Sequence, residues 1–257
     1  MQQENRFKLT IIGGYNKNDE PEDLTLTISA GEVVSIVGPT GSGKSQLLAD
    51  IEWMAQGDTP TGRRILINDQ IPDSEMRYDI ESKLVAQLSQ NMNFVMDVTV
   101  QEFVQIHASS RKIKNSGKLS TNIIEKANQL AGEKFTADTP LTSLSGGQSR
   151  ALMIADTAYL SKSPIVLIDE IENAGIDRKI ALDLLVKREK IILLATHDPI
   201  LALLGNRRLV IKNGGIYKII EATVAERKNL EILEKLDRKL MLMRNRLRHG
   251  EKINYCG

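Results

Sequence analysis

Residues 38–45 read GPTGSGKS, and no other stretch of the chain restricts its fold as much. They fit G-x-x-x-x-G-K-[ST], a loop that leaves a buried strand, turns its N–H groups inward and opens a helix. The flanks agree. EVVSIV, residues Glu32–Val37, reads as a buried strand, and the stretch from the loop to about Met54 reads as a helix. Gly38, Gly41 and Gly43 let the backbone approach an anion without Cβ clashes. The helix N-terminus adds a positive dipole end. Lys44 supplies a point charge for the β- and γ-phosphates of a nucleotide, and Ser45 offers a hydroxyl to Mg²⁺. Pro39, Thr40, Ser42 and Gln46 complete the cradle.

The rest of the chain supplies a sheet for such a loop. IVLI (165–168) and IILLA (191–195) are apolar runs of the kind buried in a parallel sheet. Phe7–Ile12 and Leu24–Ile28 read as strands around a polar loop, NKNDEPED, and Ile65–Ile67 as another short strand. Arg208–Lys212 and Ile216–Ile220 flank NGG, a hairpin signal. Between about Asn91 and Leu160 the pattern is mostly helical, with Val100–His107, Thr121–Ala131 and Gly147–Tyr159 as the predicted helices. The expectation is an α/β core with a helical insertion.

Two further stretches carry chemistry. IVLIDE ends a strand in two carboxylates, at the strand edge that faces the ligand crevice in such sheets. Asp169 is placed to hold Mg²⁺, and Glu170 to polarise an attacking water as a general base. LSGGQ, residues 144–148, has no strong acid, base or nucleophile, yet it opens a helix. Ser145 lies near the N-cap, while Gly146 and Gly147 expose N–H groups, which makes a second anion site from a helix end.

With the order P-loop, LSGGQ, IVLIDE and a lone histidine after a strand, the chain resembles the ATP-binding cassette (ABC) ATPases over roughly residues 6–221. The resemblance implies a P-loop NTPase (RecA-like) core with an antiparallel β portion and a helical insertion. The core would comprise residues 1–91 and 161–221, the helical subdomain 92–160, and the C-terminal helix and tail 222–257. It implies ATP and Mg²⁺ as cofactors and ATP hydrolysis coupled to mechanical work. Tyr15 in GGY resembles the aromatic that stacks on adenine. Gln90 in LSQNMNF resembles the glutamine that reaches the Mg²⁺ and water, with Gln87 as its competitor. His197 in LLATHDP resembles the histidine that contacts the γ-phosphate. Asp177 in AGID resembles the residue at the subunit contact, and its position also suits an N-cap for the next helix. In a head-to-tail dimer, Ser145, Gly146, Gly147 and Gln148 of one chain would close on the ATP of another. The partner is therefore a second cassette, either another copy or a related subunit.

What the clamp moves is left open between two readings. The first is the energy-coupling subunit of a membrane transporter, docked on a permease at the inner face of the cell membrane. TVQEFV after Gln90 resembles that class. The second is a cytoplasmic ATPase that remodels a soluble protein, a metalloenzyme or a nucleic acid. Ser149 and Arg150 after the signature, and Ile171 and Glu172 after the catalytic pair, depart from the usual transporter pattern. Composition restricts the choice: with 4% aromatics and a net charge of +1, neither a base-stacking platform nor a globally basic surface is expected. The chain shows no secretory leader and no apolar run of membrane-spanning length, and its one cysteine, Cys256, suits a reducing compartment. RKIKNSGK (111–118) reads as a basic loop. The tail repeats Leu233, Leu236, Leu240, Met243 and Leu247 at helical spacing, a seam for another helix or for the chain's own body.

Overall fold

Apolar residues on both faces of the central strands set the architecture. The structure, a computed structural model, describes residues 6–73, 77, 83–89, 94–113, 116–169 and 176–252. In β3 (Val33–Val37), β6 (Ile165–Asp169) and β7 (Ile191–Ala195), successive side chains enter opposite cores. Val34, Ile36, Leu167 and Leu193 join one apolar cluster, while Val33, Val166, Ile168, Ile192 and Leu194 join the other. A strand covered on both sides has no polar face, so it reads as a continuous apolar run.

These strands belong to a six-stranded sheet of order β5-β6-β7-β3-β8-β9, where β5 is Val85–Leu88, β8 Arg207–Lys212 and β9 Gly215–Glu221. Pairing is parallel from β5 to β8, and β9 returns antiparallel. Ala195 pairs with Ile36 of β3 and with Asp169 of β6. The carboxyl ends of β3, β6 and β7 therefore finish at one edge, where open α/β sheets bind ligands. The β8–β9 turn holds Asn213 and Gly214 at φ 52° and 84°, which fits the NGG hairpin signal.

One sheet face is covered by α1 (Lys44–Glu52) and an antiparallel sheet of order β2-β1-β4, with β1 at Lys8–Ile12, β2 at Thr25–Ser29 and β4 at Arg64–Ile67. Leu9, Ile11, Ile28 and Ile65 pack with Leu47, Leu48 and Ile51 of that helix. The other face carries the helices that follow β5: α2 (Val100–Ser110), α3 (Ser116–Leu130) and α4 (Gly146–Tyr159). A capping box between Thr99 and Glu102 starts α2. His107 ties α2 to α4 through Asp156 at 3.1 Å and rests against Phe103, which is a structural role.

Two expectations need correction. The strand β5 was not anticipated, because VAQL is short and Gln87 interrupts its apolar run. The basic segment 111–118 is not one loop: Ser116–Lys118 already belong to α3.

Later helices are α5 (Arg178–Val186), α6 (Pro199–Leu204) and the tail helix α7 (Val224–Arg248), about 37 Å long. The tail helix is fastened by its first half. Leu230 is buried, and ion pairs join Arg208 to Glu226, Lys179 to Glu234 and Arg178 to Asp237. Its predicted seam meets the body only at its start: Leu233 is half-buried, whereas Leu236, Leu240, Met243 and Leu247 are exposed. Among the described residues, no helix is long and apolar enough to cross a membrane.

Candidate functional site

The phosphate loop is folded by its neighbours as much as by its own glycines. Gly43 has φ 107°, and a Cβ there would lie 2.7 Å from Cα of Gly214, so the loop meets the hairpin only because Gly43 lacks a side chain. The Gly214 N–H donates to Ser42 O at 2.6 Å, and Lys17 Nζ donates to Gly41 O at 3.0 Å. Neither contact was anticipated from sequence, where NGG signals only a turn.

Lys44 is buried, and its ammonium sits at the mouth of the loop. Its Nζ donates to Gly38 O at 3.0 Å and to Pro39 O at 3.3 Å, and lies 3.0 Å from His197 Nε2. An ammonium can only donate, so Nε2 is the acceptor in this contact. His197 is held at the end of β7 by the residues after it. Asp198 caps α6 by accepting from Ile200 and Leu201 N–H, with Pro199 in the first turn. Arg178 then pairs with Asp198 at 2.6 Å.

These groups share a cavity of about 350 Å³ lined by Thr40, Gly41, Gly43, Lys44, Ser45, Gln46, Asp169 and His197. Here the structure brings the P-loop, the β6 carboxylate and the histidine together. The lining suits a Mg²⁺-polyphosphate. It offers the N-terminus of α1, an ammonium, a hydroxyl and one carboxylate, and Ser42 Oγ in the loop is a buried oxygen with no hydrogen-bond partner. Among the described residues no cluster of three His, Cys, Asp or Glu could hold a metal alone. Ser45 and Asp169, which both line the cavity, would hold Mg²⁺ jointly with substrate phosphates, the usual manner for this ion. A larger cleft, about 650 Å³, lies between residues 16–24 and the β8–β9 hairpin, with Glu20, Glu22, Asp23, Lys212 and Lys218 in its lining and none of the phosphate-loop residues.

Other predicted residues lie elsewhere. Tyr15 is half exposed on the 13–22 loop and does not line the cavity. Asp177 caps α5, accepting from the N–H groups of Lys179 and Ile180, so its cap role is observed. Gln87 is an exposed residue of β5. Gln90 and Glu170 lie outside the described residues, as do Ile171, Glu172 and Cys256.

LSGGQ is also absent from the cavity lining. Ser145 is the N-cap of α4, in a capping box with Gln148. The Gln148 side chain accepts from Ser145 N–H at 2.8 Å and reaches back to the carbonyls of Glu133 and Lys134. The glutamine thus stiffens its own helix end, a role that the S-x-x-Q spacing signals. Gly146 is exposed with open space around its missing Cβ. Ser149 is buried in α4, so this departure from the usual pattern faces the core.

The family model described as "ABC transporter" matches residues 21–173. An uncharacterized ABC transporter ATP-binding protein of Methanocaldococcus jannaschii is 52% identical over 96% of this chain and 95% of its own length. A thiamine import ATP-binding protein of Haemophilus influenzae is 32% identical over 79% of this chain and 94% of that protein. A lipoprotein-releasing system ATP-binding protein of Psychrobacter arcticus is 30% identical over 74% and 86% respectively. The structure of CbiO1 from Clostridium perfringens, part of an ABC transporter complex, superposes with a TM-score of 0.62 at 23% identity, covering 95% of this chain and 98% of that one, and supports the fold.

Proposed function

The chain belongs to the ABC transporter family, and from that premise we propose that it hydrolyses ATP in a head-to-tail dimer as the energy-coupling subunit of a membrane transporter. The observation that carries the dimer is the division of the site. The P-loop, Asp169 and His197 line one cavity, whereas the capped, exposed helix end at 144–148 lines none of it. A helix N-terminus with two glycines is suited to an anion, and a second chain can bring one to it.

In this reading, Lys44 and the loop N–H groups hold the β- and γ-phosphates. Ser45, Asp169 and Gln90 would hold Mg²⁺, which would neutralise phosphate charge. Glu170 polarises the water, His197 orients the γ-phosphate end, and Tyr15 stacks on the base. Residues 1–91 and 161–221 form the ATP-binding core, 92–160 the signature-bearing subdomain, and Asp177 borders the partner. The thiamine import and lipoprotein-releasing relatives support transport as the work done, with the chain on the cytoplasmic side against a permease. The exposed seam of α7 is the observation that favours the second reading, a soluble client. Purification of the native protein with its partners separates the two: a membrane-embedded partner supports transport, and a soluble enzyme or nucleic acid in its place overturns it.

Ser145→Arg tests the trans site. The added side chain fills the approach to the helix end without touching the P-loop. The variant should bind ATP as a monomer with native affinity yet lose turnover at least about a hundredfold. Loss of ATP binding by the monomer would contradict the assignment.

A further inference from the structure

One buried side chain, Arg63, joins the part of the site that holds phosphate to the loop that carries Tyr15. Arg63 is fully buried. Its Nε and Nη2 donate to the two Glu22 oxygens at 2.8 and 2.7 Å, Nη1 donates to Asp50 Oδ2 at 2.9 Å, and Nη2 donates also to Gly214 O at 2.7 Å. The partner carboxylates are buried too, with side-chain exposures of 3% and 0%. Glu22 accepts further from the N–H groups of Gly14 and Ile216, and Asp50 from Thr61 Oγ1 at 2.9 Å. Burial pushes the Glu22 carboxyl upward, but the hydrogen bonds and charge of Arg63, with the Gly14 and Ile216 N–H groups, hold it below its ordinary range. Burial likewise pulls Arg63 downward, and its carboxylate partners raise it above its usual value.

Such a cluster is a costly fastener. Apolar residues of similar volume commonly hold segments together as well or better. A planar guanidinium adds something apolar packing lacks, fixed distances and directions between the segments it joins. Those segments are informative here. Asp50 rides on α1, the helix that Lys44 opens. Gly214 abuts Gly43 of the phosphate loop. Glu22 closes the loop that carries Tyr15 and pins Gly14 beside it. The 61–63 turn is the surface Tyr15 leans on: the Tyr15 N–H donates to Thr61 O at 2.7 Å, and a Cβ on Gly62 would meet the tyrosine ring at 3.2 Å.

We infer that Arg63 is a positioning residue which, through Asp50 and Glu22, sets the place of Tyr15 relative to the phosphate loop and so joins base recognition to phosphate binding. The inference rests on the reading of Tyr15 as the adenine-stacking residue. Arg63 does not line the cavity of the phosphate loop; it acts through the backbone on either side of the aromatic ring.

The test compares the affinities of Mg-ATP and Mg-tripolyphosphate, measured by isothermal titration on the full chain. Tripolyphosphate reports on the phosphate loop alone, and the ratio of the two affinities reports on the base. Arg63→Met by itself would strand two buried carboxylates, so the informative variant is Glu22→Gln/Asp50→Asn/Arg63→Met, which removes the three charges together. Arg63→Lys keeps the charge and loses the fork. Tripolyphosphate affinity should stay within about twofold in every variant. ATP affinity should fall about tenfold in Tyr15→Ala and in the triple variant, the scale of a lost base–aromatic stack, with Arg63→Lys between.

If Tyr15→Ala lowers the ratio and neither Arg63 variant does, Arg63 is a fastener only and the inference is overturned while the stacking reading stands. An equal loss of ATP and tripolyphosphate in the triple variant overturns it as well. An unchanged ratio in Tyr15→Ala removes the stacking reading and the inference with it. Should the triple variant not fold, the ratio in Arg63→Lys decides alone: a fall supports the inference, and no change overturns it.

Discussion

Lys44→Ala is expected to weaken ATP binding by roughly 10- to 100-fold and to remove measurable turnover. The estimate follows from the cost of losing a charge-assisted hydrogen bond, about 1.5–3 kcal/mol, at each affinity-determining contact. The geometry explains why no neighbour can substitute. Among the residues that line the cavity Lys44 supplies the ammonium, where the Gly38 and Pro39 carbonyls and His197 Nε2 converge within 3.3 Å of it, whereas the nearby Lys17 ammonium is engaged by Gly41 O at 3.0 Å. The remaining lining offers dipoles and hydroxyls, together with the carboxylate of Asp169, whose charge opposes a polyphosphate unless a cation joins it. Stability should change little beyond the loss of those contacts, since the loop is also held by Gly214 and Lys17. Titration calorimetry and a phosphate-release assay check both arms. Native affinity in the variant would remove this lysine from the site.

Glu170→Gln should separate binding from chemistry. The substitution is close to isosteric and replaces a base with a group that cannot accept the proton of an attacking water. A positioned general base contributes about 10²–10⁴-fold, so turnover should fall by that range while ATP affinity is kept. The complex then cannot proceed, and the closed dimer should accumulate with ATP on size-exclusion chromatography. A variant that stays monomeric with ATP, or that hydrolyses ATP at the native rate, would count against Glu170 as the base.

The sequence made the ligand edge of the sheet legible because several constraints coincide there. Strands β3, β6 and β7 are apolar on both faces, so their runs stand out, and the chemistry follows where they stop: the phosphate loop starts directly after Val37, Asp169 ends β6 and His197 lies two residues past β7. Three features were legible only in part. VAQL in β5 takes its strand geometry from parallel pairing with β6 rather than from its own pattern. Gln148 follows Ser145 at capping-box spacing, yet a resemblance that makes LSGGQ a ligand motif obscures the local role. The seam of α7 has helical spacing, but spacing cannot say which helix face the body will take; Leu230 and three ion pairs decided that.

The Arg63 cluster was not legible at all. Arg63 stands 41 residues from Glu22 and 13 from Asp50 in the chain, and charged residues at such separations carry no local signal of burial. Only the fold brings them together. The same holds for Gly43, readable as a flexible turn residue, whose missing side chain lets the phosphate loop meet the hairpin at Gly214.

Mixing two inactive chains, Lys44→Ala and Ser145→Arg, tests the divided site most directly. If each ATP is held by the P-loop of one chain and LSGGQ of the other, a mixed dimer has one site with both halves intact and one with both defective. Neither variant alone should hydrolyse ATP, and an equimolar mixture should recover roughly a quarter of the native rate, given random pairing and independent sites. If the P-loop and LSGGQ of the same chain served one ATP, every site in the mixture would keep a defect. A mixture as inactive as its components would contradict the account.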